Sequence, residues 1–242
     1  MIVGIVGSPR KNGLTGRLVD ATLEGVKLEG VDVERVYLVD YDVKPYVGVR
    51  EICPESLNHL CEEADAIVLG SPVYWGDVSG LTKCFMETVS IPNADGKPAI
   101  GISIAGGTGK GLLSGIQSIY HFFFHKRMRA VDPTPVSRFN LEEAIRGLAS
   151  SGRRLAYLSR ERKPFQNLSE VSTYYQSLPF LNCDILDEFM LLANQLLKVS
   201  KDDRIEEARK DYDKARSLIA SGDRLGAMTH AVNAYELLYF EG

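Results

Sequence analysis

Three glycine-containing segments in the first half of the chain have the composition of ligand-binding loops. The first, residues 7–15, reads GSPRKNGLT and follows a short apolar run. A turn that opens a helix presents free backbone N–H groups and partial positive charge, which favour a phosphate. Ser8 and Thr15 add hydroxyl donors, and Arg10 and Lys11 add positive charge. The spacing is neither G-x-G-x-x-G nor Walker A. The segment therefore predicts a phosphate site of another type, and the alternative is a plain glycine turn with solvated basic residues.

The second segment, residues 70–80, reads GSPVYWGDVSG and contains the only tryptophan of the chain. Trp75 stands beside Tyr74, between a proline and a glycine. Such an aromatic pair can stack on a flat ligand. The alternative is that the pair fills the core at the end of the sheet.

The third segment, residues 105–111, reads AGGTGKG and has four glycines. Glycine lets backbone N–H groups approach a ligand closely. The segment is not a P-loop, because Ile104 stands where that motif needs glycine and Gly111 stands where it needs Ser or Thr. A nucleoside triphosphatase is therefore excluded.

The elements that position these segments alternate between strand and helix patterns. The predicted strands are apolar runs at residues 2–6, 31–39, 66–69, 99–104 and 128–136. Pro133 and Pro135 are expected at the end of the fifth strand. Because several runs are apolar without alternation, we predict a parallel sheet covered by helices on both faces. Ligands bind such sheets beyond the carboxyl ends of the strands, where the three segments would converge.

The C-terminal part has a different pattern. Residues 141–161 predict one helix, residues 164–200 a connecting segment with a helix, and residues 201–242 a helical hairpin turning at 221–223. The predicted apolar stripe on its second helix consists of Leu225, Met228, Val232, Tyr235 and Tyr239. Because a hairpin cannot bury an apolar face alone, we expect it to pack on the sheet or on another subunit.

Composition excludes several classes of protein. Among 242 residues, 28 basic and 32 acidic side chains give a net charge of −4, so we expect no binding to nucleic acid or an anionic membrane. No apolar run reaches the length of a membrane span, and four scattered cysteines are typical of a reducing compartment. We therefore expect a cytoplasmic protein.

Other candidate sites are weaker. His121 and His125 have a spacing that can hold zinc, but the phenylalanines between them favour burial. Cys84 is expected in the core, and Cys53 and Cys61 lack the C-x-x-C spacing of a redox pair. A basic run is either a solvated face or a contact for a phosphate-bearing partner or the nicotinamide dinucleotide; it comprises Arg146, Arg153, Arg154, Arg160, Arg162 and Lys163.

The first segment, together with residues 70–75 and 79–83, resembles the NADPH-dependent FMN reductase family, a flavodoxin-like group that includes the iron–sulfur flavoproteins. The resemblance extends over residues 1 to about 135. It implies a flavodoxin-like, doubly wound α/β fold with a five-stranded parallel sheet and, here, a C-terminal helical extension. Residues 1–163 would form the FMN-binding domain.

The resemblance also implies where FMN would bind. Its phosphate would lie on the first segment, at Ser8, Arg10, Lys11, Asn12, Gly13, Leu14 and Thr15. Its isoalloxazine would lie against Pro72, Val73, Tyr74, Trp75 and Gly76, with Ala105, Gly106, Gly107 and Thr108 on the other side.

Two features depart from the family pattern. Gly13 and Leu14 replace polar residues that usually precede the threonine, so backbone N–H groups and Arg10 would have to compensate. The stretch 41–55 holds only Cys53, whereas an iron–sulfur cluster usually needs four thiolates. We therefore expect no cluster and no other metal.

The function implied by the resemblance is an FMN-dependent NAD(P)H oxidoreductase. Electrons would pass from a nicotinamide nucleotide through flavin to a quinone, flavin or other acceptor. No side chain need act as an acid or base, because the flavin carries the chemistry. A homo-oligomer is expected. The alternative is a flavodoxin-fold binding or scaffold protein that has lost flavin and works through its helical tail.

Overall fold

The computed structural model describes residues 1–48 and 53–239 of the chain. Five strands form a parallel sheet: β1 (Ile2–Val6), β2 (Val33–Tyr37), β3 (Ala66–Tyr74), β5 (Pro98–Ala105) and β6 (Arg129–Ser137). A two-residue strand, β4 (Asp77–Val78), pairs antiparallel with the end of β3. The helices of the described residues are α1 (Leu14–Lys27), α2 (Glu55–Glu63), α3 (Gly80–Thr88), α4 (Leu112–His125), α5 (Leu141–Ser159), α6 (Leu168–Gln176), α7 (Ile185–Val199), α8 (Ile205–Ala220) and α9 (Arg224–Tyr239).

The strand order is β2-β1-β3-β5-β6. Every residue of β1 and β5 is buried, as expected for strands covered on both faces. Helices α1 and α5 pack on one face through Leu18, Val19 and Leu148, and α2, α3 and α4 pack on the other through residues such as Leu57 and Phe85. The chain steps from β1 outward to β2 and then back to β3, so the strand order reverses between β1 and β3. The predicted doubly wound flavodoxin-like fold is confirmed.

The predicted place of the two prolines in β6 is wrong. The strand continues through Pro133 and Pro135 to Ser137. It tolerates them because β6 is an edge strand, where a missing N–H donor costs little. A register shift opposite Ile100–Ile102, with Asp132 at φ 48°, marks a bulge beside the first proline.

The segment 164–200 contains two helices, α6 and α7, where the sequence predicted one. Beyond it, α8 and α9 form the expected hairpin. Gly222 has φ 90°, and the Asp223 carboxylate accepts a hydrogen bond of 2.8 Å from the Gly226 N–H. Glycine therefore ends one helix and aspartate begins the next, as predicted.

The predicted apolar stripe of α9 is partly wrong. Leu225 is 87% exposed, and the face buried against α7 and α8 includes Ala227, Ala231 and Ala234. Small side chains let helices approach closely, so alanines rather than large apolar residues form much of the buried face of α9. Tyr235 is buried as expected, in a cluster with Leu112 and Leu113 of α4. The hairpin thus packs on the α/β part of its own chain.

No described helix is both long and apolar enough to cross a membrane.

Candidate functional site

The three glycine-containing segments leave the sheet at one edge. They follow β1, β3 and β5, which are neighbouring parallel strands whose carboxyl ends point the same way. We call residues 7–15, 70–80 and 105–111 together the rim. The predicted convergence of these segments is therefore present in the fold, at the switch point where ligands bind such sheets.

At the first segment, α1 begins without a cap. Gly13 is the residue before its first turn, and no side chain within residues 1–48 and 53–239 accepts a hydrogen bond from the N–H groups there. Ser8 is buried, and its hydroxyl accepts a hydrogen bond of 3.1 Å from the Arg10 N–H. Thr15 is also buried, in the first turn of the helix. The start of α1 thus presents unsatisfied donors, which suit an anion.

The two cations of this segment differ in their partners. Lys11 pairs with Asp40 at 2.6 Å, and its Nζ lies 5.8 Å from the centre of the Tyr37 ring. Arg10 is exposed and forms no ion pair within residues 1–48 and 53–239. Arg10 is therefore the cation available to a phosphate at this helix end.

A buried hydroxyl cluster joins the first segment to the second. Ser79 Oγ donates to the Gly7 carbonyl at 2.6 Å, and Thr82 Oγ1 donates to Ser71 Oγ at 2.9 Å. A Cβ on Gly7 would lie 1.8 Å from Thr82 Oγ1, so only glycine fits there. The cluster connects the ends of β1 and β3 by hydrogen bonds. Ser79 and Thr82 of the motif 79–83, which the sequence showed only as a family-like pattern, therefore have a structural role.

The second segment is a β-hairpin whose tip projects into solvent. Trp75 and Gly76 have φ of 54° and 83°, the signs required of both central residues in a type I′ turn. A bulky residue with positive φ is rare. Trp75 is fully exposed and Tyr74 is 46% exposed, so the alternative of a core-filling pair is wrong. Both rings are available to a ligand.

The third segment is open on one part and held on the other. Gly106 and Gly107 are exposed, and a Cβ added to either would meet no atom within 4 Å. By contrast, the Glu188 carboxylate of α7 accepts hydrogen bonds from the N–H groups of Gly111 at 2.8 Å and Leu113 at 3.0 Å. The hydroxyl of Tyr235 in α9 donates to the Thr108 carbonyl at 2.8 Å.

Sequence reasoning missed Glu188 and gave Tyr235 no role at the site. The signal for Glu188 is a carboxylate on a helix whose other buried residues include Leu186, Leu192 and Ala193. A buried carboxylate needs hydrogen-bond partners, which points to a contact elsewhere in the chain. The sequence does not say which contact.

The cysteines do not fit an iron–sulfur cluster. Such clusters are usually held by four cysteine thiolates. Cys53 and Cys61 lie in the core, where burial raises the pKa of Cys53 to about 11 and that of Cys61 to about 12. Cys84 is only half-buried, so its predicted place in the core is wrong. Within the described parts of the chain, no three His, Cys, Asp or Glu side chains come together as a metal site, and His121 and His125 are exposed rather than buried.

Comparison with known proteins identifies the family. The model of the NADPH-dependent FMN reductase family matches residues 1–138. An iron–sulfur flavoprotein of Methanocaldococcus jannaschii is 34% identical over 151 residues, which cover 55% of this chain and 78% of that protein. An iron–sulfur flavoprotein of Archaeoglobus fulgidus is 32% identical over 122 residues, which cover 45% and 56%.

Solved structures share the fold. An oxidoreductase of Corynebacterium diphtheriae has a TM-score of 0.56 at 18% identity, covering 67% of this chain and 97% of its own. An NAD(P)H:quinone oxidoreductase of Methanothermobacter marburgensis has a TM-score of 0.52 at 16% identity, covering 64% and 98%. The family match, over residues 1–138, lies in the α/β part of the chain.

The rim also fits the family's cofactor physically. An uncapped helix start beside Arg10 suits a phosphate, and exposed aromatic rings on the same edge of the sheet as open glycines suit a flat ring system. The chain is a flavin-dependent oxidoreductase that uses FMN and belongs to the NADPH-dependent FMN reductase family.

Proposed function

We propose that the protein oxidises NADH or NADPH through FMN bound at the rim and passes the electrons to a quinone, a second flavin or a similar acceptor. The observation that carries this proposal is the open start of α1 on the same edge of the sheet as the exposed Trp75. The rim therefore has groups that can bind a phosphate and a group that can stack on an aromatic ring.

The first segment would hold the phosphate. The N–H groups at the start of α1 and the guanidinium of Arg10 supply donors and charge, and the backbone of Gly13 approaches closely because it has no side chain. The full proposed set is Ser8, Arg10, Lys11, Asn12, Gly13, Leu14 and Thr15. Backbone donors thus replace the polar side chains that Gly13 and Leu14 lack.

The second and third segments would hold the ring. Tyr74 and Trp75 would exclude water from one side of it, and backbone N–H groups of the third segment would stabilise negative charge on it. The proposed set is Pro72, Val73, Tyr74, Trp75, Gly76, Ala105, Gly106, Gly107 and Thr108. When bound, FMN supplies the redox chemistry, accepting a hydride equivalent and releasing electrons. No side chain of the rim is needed as an acid or base.

The first experiment is an absorption spectrum of the purified protein before and after addition of FMN. We expect flavin bands that stay with the protein through gel filtration. Oxidation of NADH and of NADPH is then measured with quinone, ferric and flavin acceptors. A protein that remains colourless after incubation with FMN would contradict the proposal.

A matched pair of variants tests the ring site. Trp75→Ala should weaken FMN binding by about 3- to 10-fold, the range for a lost aromatic contact. Leu225→Ala removes a similarly exposed apolar side chain from α9 and should leave the affinity unchanged. Equal affinities for both variants would remove Trp75 from the site.

A scaffold protein without flavin, working through its helical tail, is disfavoured by the family match over residues 1–138. The predicted homo-oligomer stays a prediction, supported by the exposure of Tyr74 and Trp75 at the hairpin tip. Light scattering of the purified protein measures its mass; a mass near 26.8 kDa would contradict self-association.

A further inference from the structure

We infer that the C-terminal helices act on the FMN site: Glu188 of α7 and Tyr235 of α9 are positioning residues that hold the third segment in its binding conformation. The inference rests on the proposed place of FMN at the rim. It concerns residues outside the region 1–138 that the family model matches.

The side chain of Glu188, a residue of α7, lies at the N-terminus of α4. Its carboxylate is buried and uses one oxygen for the Gly111 N–H and the other for the Leu113 N–H. These N–H groups lie at the positive end of the helix dipole, where an anion is stabilised. Gly111 has φ 88°, so the carboxylate also holds a backbone conformation that few other residues adopt.

Tyr235, in α9, contacts the same segment. Its ring packs edge-on to Phe189 at 5.5 Å and stacks on Tyr239 at 5.2 Å, and its hydroxyl reaches the Thr108 carbonyl. Leu192 of α7 adds a steric limit, because its Cδ2 lies 2.5 Å from where a Cβ on Gly109 would be. Helices α7 and α9 therefore contact four residues in or just after the third segment: Thr108, Gly109, Gly111 and Leu113.

These contacts leave the start of the segment free. Gly106 and Gly107 have open space where a ligand edge can approach. A loop already held in its bound conformation loses less entropy on binding, which raises affinity. Because coupling between sites is reciprocal, FMN bound at the rim would in turn stabilise α7 and α9.

The first test uses the protein without FMN. Amide hydrogen exchange is measured for residues 105–113 in Glu188→Gln and Tyr235→Phe. The controls are Glu143→Gln, an exposed carboxylate of α5, and Tyr212→Phe, in the same tail cluster but without a hydrogen bond to the rim. We expect faster exchange in the two test variants, with the melting temperature of Tyr235→Phe close to that of its control. Exchange equal to that of the controls would overturn the inference.

The second test uses the protein with FMN. We expect the dissociation constant to rise about 10-fold in Glu188→Gln and about 3-fold in Tyr235→Phe, as for one charged and one neutral hydrogen bond. Glu188→Gln should also raise the flavin midpoint potential, because it removes a negative charge that opposes reduction. A purely structural role would lower stability without moving the potential. Variants that bind FMN like the wild type overturn this inference alone, whereas a wild type that binds no FMN overturns the proposed function.

Discussion

Among the described helices that begin at the rim, α1 and α4 have a glycine as N-cap residue, and their N-termini are satisfied in different ways. The N-terminus of α1, at Gly13, has no capping side chain among the residues that the structure describes. The N-terminus of α4, at Gly111, likewise has no cap from its own neighbourhood, but it receives the carboxylate of Glu188 from 77 residues away. One helix end is thus left for an external anion, and the other is closed by the chain itself.

The difference shows that a glycine-opened helix is not by itself evidence of a phosphate site. The third segment has more glycines than the first, yet the Glu188 carboxylate already accepts hydrogen bonds from the N–H groups at the start of its helix, α4. The first segment has its donors open and Arg10 beside them. We therefore propose that the phosphate of FMN binds at the start of α1 and that the third segment brings backbone N–H groups next to the ring.

The largest expected effect comes from replacing the glycine of the closed end. Gly111→Ala should lower the free energy of unfolding by about 3 kcal/mol, because φ is positive there and the new Cβ would lie 2.6 Å from Gly76 Cα. Gly13→Ala should cost less than about 1 kcal/mol, since φ there is −86°. Urea unfolding of the two variants without FMN measures both changes in the free energy of unfolding. Equal decreases would contradict the proposed difference between the N-termini of α1 and α4.

The open end can be closed artificially. Gly13→Asp would place a carboxylate at the start of α1, as Glu188 does for α4. We expect FMN affinity to fall about 100-fold, while the melting temperature of the protein without FMN rises, because aspartate caps a helix and competes with phosphate. Gly13→Ser is the control for size and capping without charge. If the serine variant loses as much affinity as the aspartate variant, steric contact with Arg10 rather than charge is responsible.

The two cations of the first segment should contribute unequally. Arg10→Gln should weaken FMN binding by about 10-fold at low salt, and Lys11→Gln by less than about 3-fold because Lys11 is already paired with Asp40. Fluorescence titration at two salt concentrations measures the affinities, and the Arg10 effect should shrink as salt rises. Equal effects of the two substitutions would contradict the assignment of Arg10.

A third helix end is also closed by the chain, and its effect appears only as a dependence of stability on pH. The ammonium of Lys97 donates to the carbonyls of Cys61 at 2.7 Å and Glu62 at 2.9 Å, in the last turn of α2. Burial lowers the pKa of Lys97 from 10.5 to about 8. A lowered pKa in the folded state stabilises the protein above pH 10.5, and this contribution is lost as pH falls through about 8.

Urea unfolding between pH 8 and 10 tests this linkage. The free energy of unfolding of the wild type should rise with pH relative to that of Lys97→Met, which lacks the titrating group. Lys210→Met, on the exposed side of α8, should follow the wild type. A Lys97→Met protein with the same pH slope as the wild type would contradict the lowered pKa.

The strands were the most predictable part of the fold. Residues 2–6 form β1 as predicted, and the predicted 99–104 differs from β5 by one residue at each end. Strands buried on both faces appear as continuous apolar runs, so their sequence alone marks them. Errors arose where context decides: β6 keeps its prolines because it is an edge strand, and α9 buries alanines because its neighbours lie close.

The candidate site was predictable in composition but not in arrangement. The three segments and their order along the sheet follow from strand order and parallel pairing. The exposure of Trp75 does not follow, because a turn with positive φ at tryptophan is not what its residue type favours. Nor could the sequence show that Lys11 pairs with Asp40 while Arg10 remains available.

By itself, the sequence determined which strands form, where glycine-containing segments follow them, and hence the edge of the sheet at which we propose that FMN binds. Only the tertiary structure decided that the start of α4 is closed by Glu188 and that Tyr235 reaches Thr108, a residue 127 positions earlier in the chain. Hydrogen bonds between such distant residues depend on how the tail helices dock, and docking is the sum of many weak apolar contacts that no local pattern encodes.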